Sequence, residues 1–152
     1  MHVKLKKKFG QNFLIDKNIT NKIVSLINNF SLKILEIGPG DGKLTAHIIK
    51  KKPKILDIVE IDKDLIEILN FNFQKYQFVN IFNEDVLKFK IETDYDLIIS
   101  NLPYNLSSKI LEKMIFLEKK PKTMILMFQK EFADRLLSKD LNSINSLINC
   151  FF

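Results

Sequence analysis

The most constraining feature of this sequence is a glycine-rich turn directly after a short apolar strand pattern. Lys33–Ile37 reads as a buried strand, and Glu36-Ile37-Gly38-Pro39-Gly40-Asp41-Gly42 carries it into a helix with Leu44, Ile48 and Ile49 on one face. Glycines at such a turn let a backbone approach a ligand where a side chain would block it. A dinucleotide fold would space them as G-x-G-x-x-G, so that a helix N-terminus meets a pyrophosphate. Here the third glycine comes one residue early and Lys43 stands in its place, which argues against a nicotinamide enzyme. Taken alone, the loop is also compatible with a merely tight turn.

The strand–turn–helix unit then recurs. An initial helix, capped by Asp16, has Ile19, Ile23, Ile27 and Phe30 on its apolar face. A second strand covers Ile55–Glu60, followed by a helix with Leu65, Ile66, Leu69 and Phe73. Strands are expected at 78–82, 96–100 and 123–128. Ser107 is expected to cap a helix bearing Ile110, Leu111, Met114 and Ile115, and a further helix from about Lys130 holds Phe132 and Leu136. Residues 143–152 read as one more helix. Alternation of this kind predicts a doubly wound α/β domain with a mostly parallel sheet, in which ligands meet the carboxyl ends of the strands.

With 152 residues, 46% of them hydrophobic, the chain suffices for one domain with a sizeable core. No apolar run approaches the roughly 18–20 residues of a membrane span, and Met1 to Lys8 is followed by no signal-peptide segment. The lone cysteine, Cys150, excludes an internal disulfide framework and suits a reducing, cytoplasmic setting. Net charge is +6, which favours a polyanionic partner. Arg135 is the only arginine, and the abundance of Lys, Ile, Asn and Phe suggests AT-rich coding, which inflates lysine and weakens that inference.

Three further strand ends carry chemistry. Glu60 closes the second strand, where a carboxylate accepts from both hydroxyls of a ribose; its plain alternative is a solvated acid. Asp85 lies past the third strand and suits an adenine amino group, with an Asx turn as the alternative. After the fourth strand comes Asn101-Leu102-Pro103-Tyr104. An adenine amino nitrogen is a poor nucleophile because its lone pair is delocalised into the ring. Acceptors at the Asn101 side chain and the Leu102 carbonyl would localise that pair, Tyr104 would stack on the base, and Pro103 would stiffen the turn. The alternative is a proline turn with an incidental tyrosine. The lysines at 4, 6, 7 and 8 form a basic arm suited to phosphates.

Phe9-Gly10-Gln11-Asn12-Phe13-Leu14, Glu36 to Gly40, Asn101 to Asn105 and Gln129-Lys130-Glu131 together resemble the ribosomal RNA adenine dimethyltransferases, over essentially the whole chain. The resemblance implies a Rossmann-like fold that binds S-adenosylmethionine. It also implies transfer of its methyl groups to two adjacent adenosines of ribosomal RNA in the small subunit or its precursor. Asn12 and Leu14 would close over the cofactor, Gly38 would lie beside its methionine portion, Glu60 would hold the ribose and Asp85 the adenine. Asn101 would stand between cofactor and target base. Pro39, Leu102 and Gln129-Lys130-Glu131 favour the small-subunit branch over the large-subunit enzymes of macrolide resistance. A non-catalytic RNA-binding or assembly factor is the alternative of another class. Neither a metal nor a membrane is implied, and the complete protein is expected to be a monomer. Relative to that family, 141–147 lacks the usual Tyr-Gly pair, and the chain stops before two final strands and a small helical domain. The segment 123–128 would then be an apolar sheet edge prone to self-association.

Overall fold

The computed structural model describes residues 17–27, 31–102 and 106–137. The elements run α1 (Lys17–Ser25), β1 (Lys33–Ile37), α2 (Lys43–Lys50), β2 (Ile55–Glu60), α3 (Lys63–Phe73), β3 (Val79–Asn83), β4 (Leu97–Asn101), α4 (Ser107–Ile115), β5 (Thr123–Met127) and α5 (Lys130–Leu137). All five strands are parallel, in the order β3-β2-β1-β4-β5. The chain leaves β1 toward β2 on one side and returns through β4 on the other, so the switch point lies between β1 and β4.

Strand alternation sorts the core into two layers. Ile34, Leu56, Ile58, Leu97 and Ile99 face Ile23, Ile27, Leu44, Ile48, Leu69 and Phe73 of α1, α2 and α3 and their flanks. Leu35, Ile37, Val59 and Ile98 face Val86, Phe89, Tyr95, Leu102, Ile110 and Met114 on the opposite side. The inner strands β1, β2 and β4 are covered on both faces and are mostly apolar, with Glu36, Asp57, Glu60 and Ser100 as buried polar exceptions, whereas the outer strands β3 and β5 are only partly covered. The doubly wound α/β architecture expected from the sequence is therefore present. Beneath the second layer, buried Asp57 accepts hydrogen bonds from Asn80 Nδ2 at 2.7 Å and from the Tyr95 hydroxyl. Burial, helped by that contact with Asp57, pushes the Tyr95 phenol well above its ordinary range.

Several expectations are corrected. The third and fourth strands run one residue later than expected, and β5 stops at Met127. Ser107 is not a cap: Leu106 is the N-cap of α4, without a side-chain bond, and Ser107 is the first helical residue, buried against the core. Ile19 is exposed, while Thr20 takes the buried place on α1 that the apolar periodicity assigned to it. Ile19 and Thr20 are neighbours about 100° apart on the helix, so a rotation that buries Thr20 turns Ile19 toward solvent. Asp16, Phe30 and the expected helix at 143–152 lie outside the described residues.

Candidate active site

The glycine turn combines two different demands. Gly38, Gly40 and Gly42 all have positive φ. At Gly42, with φ of 80°, an added Cβ would stand 2.6 Å from Phe73 Cε2, so this position is about packing α2 closely on α3. Gly38, with φ of 64°, has nothing within 4 Å of a notional Cβ. It borders open space at the end of β1, as a backbone approached by a ligand would. Its N–H donates to Val59 O at 2.9 Å, which ties the turn to β2. Lys43, whose place argued against a pyrophosphate site, is engaged with Asp41 through a 2.7 Å ion pair.

Glu60 ends β2 and is only 6% exposed. Its Oε1 accepts from Asp62 N–H at 2.9 Å, and Asp62 in turn caps α3 by accepting from Asp64 N–H at 3.1 Å. Burial pushes the Glu60 carboxyl above its usual range, opposed by the backbone N–H groups of Asp62, Gly40 and Ile61. The strand-end acid is therefore desolvated and built in rather than solvated. Asn83 holds the backbone beside it, donating to Glu60 O and Ile61 O at 3.0 and 3.2 Å.

Glu36 is the residue that motif reading passed over. It is 1% exposed, and neither carboxylate oxygen makes a hydrogen bond. Burial pushes its carboxyl up to about 8; the Thr45 hydroxyl lies near enough to oppose this without forming a well-aligned bond, and the charge of Glu60 adds to the rise. An unbonded buried carboxyl carries a large desolvation cost. Such orphaned acceptors beside an open glycine turn suit a ligand that brings positive charge and hydrogen-bond donors.

Asp85 follows β3 in a tight turn. Its Oδ1 accepts from Leu87 N–H at 2.9 Å, and its carbonyl accepts from Lys88 and Phe89 N–H at 2.8 and 2.9 Å. The Asx turn is real, yet it fixes only one carboxylate oxygen, so the structural and binding readings are compatible. Asn101 ends β4, and Leu102 follows it, 1% exposed. Ser100 donates to Ile37 O at 2.7 Å and locks this strand end to the base of the glycine turn across the switch point. Glu60, Gly38, Asp85 and Asn101 thus all stand at the carboxyl ends of adjacent strands. Asn12, Leu14, Pro103 and Tyr104 lie outside the described residues.

A family model described as ribosomal RNA adenine dimethylase matches residues 2–148. The chain belongs to that family. Two members named ribosomal RNA small subunit methyltransferase A are similar to it. The protein of Pelagibacter ubique is 46% identical over 149 residues, which cover 94% of this chain and 56% of that protein. The protein of Mycoplasmopsis pulmonis is 43% identical over 142 residues, 93% of this chain and 56% of its own length. The chain therefore spans about half the length of these dimethylase relatives. Among solved structures, a dimethyladenosine transferase from Plasmodium falciparum superposes with a TM-score of 0.77 at 29% identity, covering 88% of this chain and 49% of that one. The 23S rRNA methyltransferase ErmE superposes with a TM-score of 0.72 at 25% identity, covering 80% and 50%.

Within this dimethylase fold, sequence reasoning missed Glu36 and Asn83. Glu36 sat inside a quoted motif, but nothing local said that it would be sealed from water. Among the described residues no cluster of His, Cys, Asp or Glu is placed to hold a metal ion, and no helix is long and apolar enough to cross a membrane.

Proposed function

We propose that this chain forms the cofactor-binding and methyl-transfer part of an S-adenosylmethionine-dependent enzyme that dimethylates adenine amino groups in small-subunit ribosomal RNA. The observation that carries the reading is Asn101 at the end of β4, locked by Ser100 to the glycine turn at the end of β1, in a chain of the adenine dimethylase family. S-adenosylmethionine, when bound, supplies an electrophilic methyl on a sulfonium centre. Gly38 leaves room for its methionine portion, and the orphaned Glu36 carboxyl and the Glu60 carboxyl suit its positive charge and its ribose hydroxyls. Asp85 accepts from its adenine amino group. Asn12 and Leu14 would close over it.

On the target side, the Asn101 side-chain oxygen and the Leu102 carbonyl accept the two amino hydrogens of the adenine, which favours a pyramidal nitrogen with a localised lone pair. Pro103 would stiffen the segment that follows, and the Tyr104 ring would stack on the base. No general base is needed beforehand, because the neutral amino group is the nucleophile: its nitrogen would take the methyl as the sulfur–methyl bond breaks to leave a neutral thioether, and the methylated, positively charged nitrogen would then lose a proton to water. The lysines at 4, 6, 7 and 8 contribute affinity for RNA phosphates that does not depend on sequence.

Modification of small-subunit RNA is favoured over large-subunit RNA because the small-subunit relatives are 46% and 43% identical, against 25% for ErmE. The test supplies cofactor with a labelled methyl group to unmethylated small and large subunits. It uses this chain and a chimera that adds the C-terminal half of the Pelagibacter ubique relative. Label recovered as dimethyladenosine in the small-subunit RNA is the expected result. Binding of RNA without any transfer by the chimera would instead make the chain a non-catalytic binding module.

A further inference from the structure

Lys113 stands in the last turn of α4. Its ammonium reaches three backbone carbonyls, those of Val86, Leu87 and Phe89, at 2.7, 3.2 and 2.6 Å. An ammonium has three donors, and here all three have an acceptor. The same stretch sends its N–H groups the other way: Leu87, Lys88 and Phe89 donate to Asp85. The turn is therefore gripped on both sides, its amides by Asp85 and its carbonyls by Lys113. Phe89 anchors it in the core and meets Phe82 at 5.1 Å between ring centroids. Burial lowers the Lys113 ammonium from its ordinary range, and the negative charges of Asp85 and Glu84 oppose that shift. A lysine on a helix ordinarily leaves its charge in water. Drawing this one onto a loop costs desolvation and side-chain entropy that the carbonyl contacts must offset.

We propose that Lys113 is a positioning residue that holds the Asp85 turn in the shape needed to receive the cofactor's adenine amino group, and so ties the adenine subsite to the helix that follows the Asn101 strand end. With Oδ1 committed to the turn, the direction of Oδ2 depends on the shape of residues 86–89, which the ammonium sets. The inference rests on the reading of Asp85 as the adenine acceptor.

The experiment measures binding of S-adenosylhomocysteine and of S-inosylhomocysteine to the 152-residue chain by calorimetry. The second ligand carries an oxygen where the first has the amino group, so it cannot donate to Asp85. Wild type should prefer the adenine ligand about tenfold or more, the scale of one hydrogen bond to a charged acceptor. Lys113→Met should lose most of that preference while binding the inosine ligand nearly as well as wild type does. A merely structural role would weaken both ligands equally, or neither, and an unchanged preference overturns the proposal. Should Lys113→Met fail to fold, Lys113→Arg is measured instead, since its planar fork keeps the charge but cannot converge three donors on one point. An Arg variant with the wild-type preference likewise overturns the proposal. A wild-type chain without any preference would show that the Asp85 reading itself fails, a result distinct from failure of the Lys113 role alone.

Discussion

Glu36 and Glu60, on the neighbouring strands β1 and β2, are two carboxyl groups that burial makes harder to charge, and the charge of Glu60 adds to the upward shift of Glu36. The folded chain holds the Glu36 proton far more tightly than an unfolded chain with an ordinary carboxyl of 4.5 would. The stability this contributes is fully present below pH 4.5 and is lost as pH rises toward 8. Urea unfolding between those limits should therefore show stability falling with pH. Glu36→Gln, which cannot ionise, should flatten that fall and be the more stable protein at the alkaline end, by up to a few kcal/mol. Parallel curves for the two proteins would mean that Glu36 is charged in the folded state.

Glu60→Ala should weaken S-adenosylmethionine binding by roughly 1.5–3 kcal/mol, the scale of hydrogen bonds to a charged acceptor. Asp62 N–H loses its acceptor in the same variant, so thermal unfolding must accompany the titration. Equal affinity in a folded variant would remove Glu60 from the site.

The two glycines should separate folding from binding. Gly42→Ala combines positive φ with a 2.6 Å approach to Phe73 and should cost about 2–4 kcal/mol of stability. Gly38→Ala, with open space around it, should cost only about 1–2 kcal/mol for its backbone angle, yet impair cofactor binding severely. Chemical denaturation and calorimetry on both variants check this. Normal cofactor affinity in Gly38→Ala would show that the open space is not where the ligand lies.

Asn101→Ala should reduce methyl transfer far more than RNA binding, because the side chain acts on the nucleophile. Tyr104→Ala should also be damaging, since stacking of a base on an aromatic ring is worth roughly 1–3 kcal/mol. Tyr104→Phe should be mild. Single-turnover transfer by the chimera, set beside RNA affinity, is the measurement. A phenylalanine variant as inactive as the alanine variant would rule out stacking as the role of that ring.

Much of this was legible in the linear order of residues, because the signals concerned are local. A strand buried on both faces is a short apolar run, and a helix that covers it repeats its apolar residues every three or four positions, so β1 to β5 and α2 to α5 could be placed within a residue or two. Parallel strands joined by helices bring their carboxyl ends to one edge. For that reason Gly38, Glu60, Asp85 and Asn101 could be expected along one edge of the sheet from their positions after successive strands.

What the sequence by itself determined was the set of elements and the residues at their ends; only the tertiary structure decided what those residues experience. Glu36 and Glu60 are far apart in the chain, and the charge of Glu60 reaches Glu36 because β1 pairs with β2, while the sealing of Glu36 depends on the packing around it. The Lys113 ammonium lies on carbonyls 24 to 27 residues earlier in the chain, a contact with no local pattern to announce it. Gly38 and Gly42 look alike in the motif, yet one borders open space and the other abuts Phe73 of a later helix. Desolvation and close contact are properties of the packed surroundings, contributed by segments remote in sequence, and they come into being only when those segments are brought together.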